Sequence, residues 1–458
     1  MKINHSKNFL FISLALFLSS YLCWAQTLEV KIEGYSSNIY LSNLSGEKTS
    51  LLDSANSNGS YKFYISKNDL HSGICRISFD KNKWIDFVND GKNVSISTDI
   101  KNVFDSLRII ESESNKLFYS FLRLTRQYKT KTELLYLIIS RFPKDDPYYN
   151  SSRQRLNELQ SEYLEFVNIT SQKEPESFVA RYIRYAQLPV ININIPIEQH
   201  IDYLKSNALD HTNFNDAFMI NSDLFTNKTI EYLSYYGNPQ YPKELLEKEF
   251  MKAVDTLLNK AKVNQLVYQQ ITEYMIDGFK RFGFDQVLDY IVENYVIKDD
   301  LCLDEKTEGM IKRRIDQARI LKIGSSVPEI TLPDINGKKI DLNKIRAGNI
   351  LIVFYTSWCP HCKELLPQLD TLVKNQTEKK LEVLAVSLDT KKDEWINFIT
   401  ANCRSLINVS DLKGWNSKSA DDYFIYATPT MFLIDSHLKI IGKPTTFDEL
   451  RKYQLLFE

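Results

Sequence analysis

The stretch that most constrains this chain lies near its C-terminal end, where Ile350 to Tyr355 is followed by Thr356-Ser357-Trp358-Cys359-Pro360-His361-Cys362. The unbroken apolar run reads as a strand buried on both faces. Beyond the cysteines, Leu365, Leu366, Leu369, Leu372 and Val373 recur at helical spacing, which predicts a helix over about Lys363 to Val373. Two cysteines therefore sit where a strand hands over to the first turn of a helix.

That position has a chemical use. The thiolate is the nucleophile in disulfide exchange, and positive potential favours its formation. A helix N-terminus supplies such potential through unpaired N–H groups and the macrodipole. Pro360 suits the first helical position, where a missing N–H leaves no bond unmade. Cys359, the outer cysteine, is expected to attack, and Cys362, one turn further in, to resolve the mixed disulfide. His361 can add charge or a hydrogen bond beside the thiolate. A bare Cys-x-x-Cys is also half of many zinc sites, but no second Cys-x-x-Cys or His-x-x-x-His pair occurs in the chain. A purely structural disulfide is a poor alternative, because so short a loop has little unfolded-state entropy to remove.

The rest of the chain bounds this chemistry. With 458 residues, several domains are expected. Hydrophobic content of 43% is enough for packed cores. A net charge of −1 without a long basic block argues against a nucleic-acid surface. Residues 1–25 read as an export signal: Lys2 and Lys7, an apolar run from Phe9 to Leu22, and cleavage after Ala25. Cys23 invites a lipoprotein reading, but the preceding Tyr21 and Leu22 are bulky. No later segment is apolar for long enough to span a bilayer, so no transmembrane segment is expected in the mature chain. Five cysteines then remain, and the singletons Cys75, Cys302 and Cys403 are expected to be small buried residues. No metal or cofactor is implied.

Residues 26–110 alternate apolar and polar positions in short segments, as in Leu28 to Gly34 and Gly59 to Ile65. This predicts an all-β, sandwich-like domain. Tyr35, Tyr40, Tyr61, Tyr64 and Trp84 are read as core residues of those strands. Residues 111–321 switch to helical periodicity, with segments at about Asn115 to Tyr128, Lys131 to Ser140 and Ser151 to Thr170 among others. This predicts an all-α region. Residues 322–458 alternate strands and helices, an α/β layer fold.

Trp358-Cys359-Pro360-His361-Cys362, with Pro367 beyond it and Ala427-Thr428-Pro429-Thr430 ahead of a strand, resembles the thioredoxin superfamily. Gly324-x-x-Val327-Pro328 and Asp334-Ile335-Asn336-Gly337 look like its exported TlpA/ResA branch. The upstream layout is similar to multidomain thioredoxin-like proteins of Bacteroidetes. The resemblance implies a thiol–disulfide oxidoreductase of the periplasm or cell envelope of a Gram-negative bacterium. Its partners would be cysteine-containing protein substrates and a redox partner protein. It implies that Cys359 and Cys362 form the redox pair, that Pro429 is the cis-proline, and that Thr428 lies against the disulfide. Trp358 matches the aromatic residue before the pair, and Pro360 and His361 the intervening dipeptide beside the substrate.

Two departures matter. Val353 stands where thioredoxin has a buried acid, which makes Asp389, at the end of the next strand, a substitute candidate for proton transfer; its bland reading is a surface turn residue. Pro360-His361 is the dipeptide of the oxidant DsbA, near −120 mV against about −270 mV for thioredoxin, whereas the TlpA/ResA branch implies a reductant. The competing functions are a thiol peroxidase, echoed by Thr356-x-x-Cys359 but with Ile352 at its upstream proline position, and a cell-envelope binding module with an accessory redox domain.

Overall fold

A computed structural model describes residues 26–65, 72–80, 82–376 and 380–454, so residues 1–25, read above as an export signal, lie outside the described residues. The chain forms a β-rich region, a helical middle and a C-terminal α/β domain. Its contacts gather into two compact units, one running to Val287 and one beginning at Leu288.

The first unit opens with eight strands: β1 (Gln26–Glu33), β2 (Ile39–Ser45), β3 (Lys48–Ala55), β4 (Ser60–Ile65), β5 (Gly73–Asp80), β6 (Lys83–Asn89), β7 (Val94–Asp99) and β8 (Arg108–Glu111). They make two four-stranded sheets, β4-β1-β7-β8 and β3-β2-β5-β6. Alternate residues such as Leu28, Val30 and Ile32, or Ile39 and Leu41, are fully buried, as period-two patterning requires. The aromatic assignment holds only for Tyr61. Tyr40, Tyr64 and Trp84 are exposed and lie on the open faces, because alternation gives two faces and says nothing of which is covered. On those faces the Lys62 ammonium and Arg76 guanidinium sit over the Tyr64 and Trp84 rings.

The helices begin with Glu113–Arg141, one continuous element where the sequence predicts two. Its N-cap Ser112 accepts from the Asn115 N–H. Asn115 is fully buried and pairs with Val88 on both sides: its Oδ1 accepts from the Val88 N–H at 2.8 Å, and its Nδ2 donates to the Val88 carbonyl at 2.8 Å. A side chain thus extends the β6 ladder into the helical region. Cys75 is buried and Cys403 is buried, as expected of singletons, but Cys302 is exposed.

The second unit carries a five-stranded sheet of order β13-β12-β11-β14-β15. Here β9 is Thr331–Pro333, β10 is Lys339–Asp341, β11 is Asn349–Tyr355, β12 is Leu381–Ser387, β13 is Ile407–Val409, β14 is Thr430–Asp435 and β15 is Ile440–Gly442. Strands β11, β12 and β13 are parallel, while β14 runs antiparallel to β11. The ends of β11 and β12 and the start of β14 consequently share one edge. Leu351, Val353 and Tyr355 pack on one face with Leu366 and Leu369 of helix Pro360–Lys374 and Trp395 of helix Lys392–Asn402. Ile350, Ile352 and Phe354 pack on the other with Leu321, Leu342 and Tyr423. Both faces are covered, which is why β11 reads as a continuous apolar run.

Candidate active site at the edge of the sheet

Helix Pro360–Lys374 starts at the cysteines themselves: Cys359 is its N-cap and Pro360 its first residue. The Cys359 carbonyl accepts the Lys363 N–H at 3.2 Å, closing the first turn. Both sulfurs are free thiols. Cys359 is 5% exposed and Cys362 fully buried, so the outer sulfur is the accessible one. Trp358 is 60% exposed beside it, and Pro360 and His361 are exposed as well.

The opposite wall is the loop before β14. The Thr428–Pro429 peptide bond is cis. The Cys359 thiol donates to the Thr428 carbonyl at 3.3 Å, and the Thr356 and Thr428 hydroxyls are 3.5 Å apart. Residues separated by 69 positions thus meet because β11 and β14 are neighbours in the sheet. Burial pushes the Cys362 thiol well above its ordinary value, and the adjacent Cys359 thiol adds to this. The Thr356 backbone and the Thr428 side chain oppose the rise with hydrogen bonds, and neither carries charge.

Asp389 is not a surface residue. It is 2% exposed and its carboxylate is occupied by neighbours. It accepts the Ser357 N–H on both oxygens at 3.1 Å, the Ser357 hydroxyl at 2.8 Å and the Ser387 hydroxyl at 2.7 Å. The acid therefore grips the loop that carries the cysteines. The sequence located it by its place at a strand end, while the serine partners carried no motif. Val353, at the position of the missing acid, is fully buried among apolar side chains.

A second polar group lies below the pair. Trp395 Nε1 donates to the Tyr355 hydroxyl at 3.0 Å, which donates to Asn408 Oδ1 at 3.2 Å. Asn408 Nδ2 in turn donates to the Cys403 and Leu406 carbonyls, and the Cys403 thiol lies 3.6 Å from Asn408 Oδ1. Burial holds the Tyr355 hydroxyl and the Cys403 thiol protonated, the latter pushed up to about 12. None of these partners was visible in sequence spacing.

Known proteins resemble this part of the chain. The AhpC/TSA family model matches residues 323–443. The thiol-disulfide oxidoreductase ResA of Bacillus cereus is 28% identical over 123 residues, which cover 27% of this chain and 69% of ResA. Among solved structures, a thiol-disulfide oxidoreductase from Bacteroides fragilis is 27% identical, with a TM-score of 0.28, covering 29% of this chain and all of that one. A thioredoxin-like protein from Bacteroides caccae is 22% identical, with a TM-score of 0.38, covering 59% of this chain and 98% of that one. Residues 323–443 thus form a thioredoxin-like domain that matches the AhpC/TSA family and has homologues among the ResA thiol-disulfide oxidoreductases, which makes the chain an oxidoreductase.

Proposed function

We propose that the chain is an exported oxidoreductase that reduces disulfides in other proteins through Cys359 and Cys362. The observation that carries this reading is the placement of the Cys359 sulfur, at a helix N-terminus and 3.3 Å from the Thr428 carbonyl. The Cys359 thiolate attacks one sulfur of a substrate disulfide and expels the other as thiolate, which takes up a proton. Cys362 then loses its proton and attacks the Cys359 sulfur. The intramolecular disulfide forms, the second substrate thiolate leaves, and two electrons have passed to the substrate. A partner dithiol restores the pair.

The reducing direction rests on the resemblance to the TlpA/ResA branch, against which stands the oxidant-like Pro360-His361 dipeptide, and the reduction potential decides between them. The exposed Trp358 gives a polypeptide an apolar contact beside the sulfur, which favours protein substrates. Residues 1–25 are read as the export signal, and mass spectrometry of the periplasmic and cell-envelope fractions should find the chain beginning at Gln26.

The test is trapping. The Cys362→Ala variant should hold substrates on Cys359 as mixed disulfides visible on non-reducing gels, and Cys359→Ala should hold none. Equilibration with glutathione should place the pair below about −200 mV, in the range of reducing members. A potential near that of DsbA would reject the reductant reading, and an empty trap would reject the site.

A further inference from the structure

Helix Glu305–Ile320 lies outside residues 323–443, yet it holds the backbone that leads into Thr428. Gln317, buried on that helix, donates to the Tyr423 carbonyl at 2.9 Å and the Phe424 carbonyl at 3.3 Å. Arg313 donates to the Ile425 carbonyl at 3.2 Å and to the Asp421 carboxylate at 2.6 Å. Arg314, only 11% exposed, lays its guanidinium over the Tyr426 ring at 4.1 Å and pairs with Asp289. The Tyr426 hydroxyl donates to that same Asp289 at 2.9 Å. Each residue from Tyr423 to Tyr426 is therefore held from upstream, and Thr428 is two residues further on.

The gripped segment is also strained. Phe424 has φ near +50°, a left-handed conformation that a bulky side chain adopts only where its surroundings impose it. The Gln317 amide binds the carbonyls on either side of the Phe424 peptide nitrogen, at the point of strain. Hydrogen bonds and a cation–π contact thus reach all four consecutive residues.

We propose that Asp289, Arg314 and Gln317 are positioning residues that set the Thr428–Pro429 loop, and through it the affinity for an extended polypeptide substrate. This rests on the reading that the Thr428 loop receives that substrate. Small disulfides need only the sulfur and are indifferent to the loop's exact placement. The helix is then part of the working redox unit although it lies outside residues 323–443.

The experiment uses the full chain with Tyr426→Phe, Gln317→Ala and Asp289→Asn. Oxidised insulin is the polypeptide probe and 5,5′-dithiobis(2-nitrobenzoate) the small one. Loss of one such hydrogen bond should raise KM for insulin about three- to tenfold, with kcat, the rate with the small disulfide and the glutathione equilibrium unchanged. Tyr426→Phe and Asp289→Asn should be less than additive, because both act on the Tyr426–Asp289 contact, while Asp289→Asn also discharges the pair with Arg314. An unchanged KM in a folded variant overturns the proposal, as does an equal loss with the small disulfide. Tyr426→Phe keeps its ring on Arg314, so it carries the test if Gln317→Ala fails to fold. If the unaltered chain reduces neither probe, the reading of the site itself is what fails.

Discussion

Asp389 receives the Ser357 N–H on both carboxylate oxygens, at 3.1 Å each, across the gap between the ends of β12 and β11. With the Ser357 and Ser387 hydroxyls added, it ties the strand beside β11 to the loop two residues ahead of Cys359. The bond is buried, so its loss leaves polar groups without water.

Asp389→Ala should therefore destabilise the chain by about 2–4 kcal/mol, since hydrogen bonds to a charged group are worth about 1.5–3 kcal/mol each and several donors are orphaned. Urea denaturation measures this. The same variant should slow insulin reduction, because the loop bearing Trp358 and Cys359 loses its anchor. Ser357→Ala, which keeps the backbone bond, should show a smaller loss on both counts.

On the proposed mechanism, the second step should accelerate with pH. Burial pushes the Cys362 thiol up, so at neutral pH it is protonated and only its small thiolate fraction can resolve the mixed disulfide. Below its pKa that fraction grows about tenfold per pH unit. Single-turnover stopped flow, followed through Trp358 fluorescence, should show the mixed disulfide decaying faster from about pH 6 to 9. A flat profile would mean that Cys362 is already ionised at neutral pH.

Cys75 and Cys403 should make stability fall on the alkaline side. Each thiol is pushed by burial up to about 12 in the folded chain. The unfolded thiol titrates near 8.5–9, so between the two values the folded state holds a proton the unfolded state has lost. Stability present below that window then declines by about 1.4 kcal/mol per pH unit for each thiol. Cys403→Ala should lessen this slope in the transition of the second unit, where the raised Cys362 thiol contributes a like share, and Cys75→Ala should lessen it in that of the first.

Asn115→Ala should weaken the join between the β-rich region and its first helix. Two 2.8 Å bonds to Val88 vanish, and the buried Val88 N–H and carbonyl lose partners. A loss of about 2–4 kcal/mol is expected. Hydrogen exchange should report it at Val88 and along Glu113–Arg141, while the redox potential stays as it was.

Much of the architecture was legible where side-chain pattern is local. Leu365, Leu366 and Leu369 marked the helix behind the cysteines, and all three are buried there. β3 was not legible: Lys48–Ala55 is an edge strand with no buried residue, so no alternation records it. The sequence predicts one helix ending at Tyr128 and another beginning at Lys131, yet Tyr128 and Thr132 are buried and the helix runs through. Tyr40, Tyr64 and Trp84 showed strands correctly and their faces wrongly, since an aromatic residue suits either side of a pleat.

By itself the sequence determined that a buried strand meets two cysteines at a helix start, because strand period, proline placement and leucine spacing act within a few residues. Tertiary structure alone decided what surrounds those sulfurs. The Thr428 carbonyl, the Asp389 clamp on Ser357 and the grip of Gln317 and Arg314 on Tyr423 to Tyr426 join residues 32 to 112 positions apart. Such meetings depend on which strands become neighbours and in what register, and no short-range pattern in the chain encodes that choice.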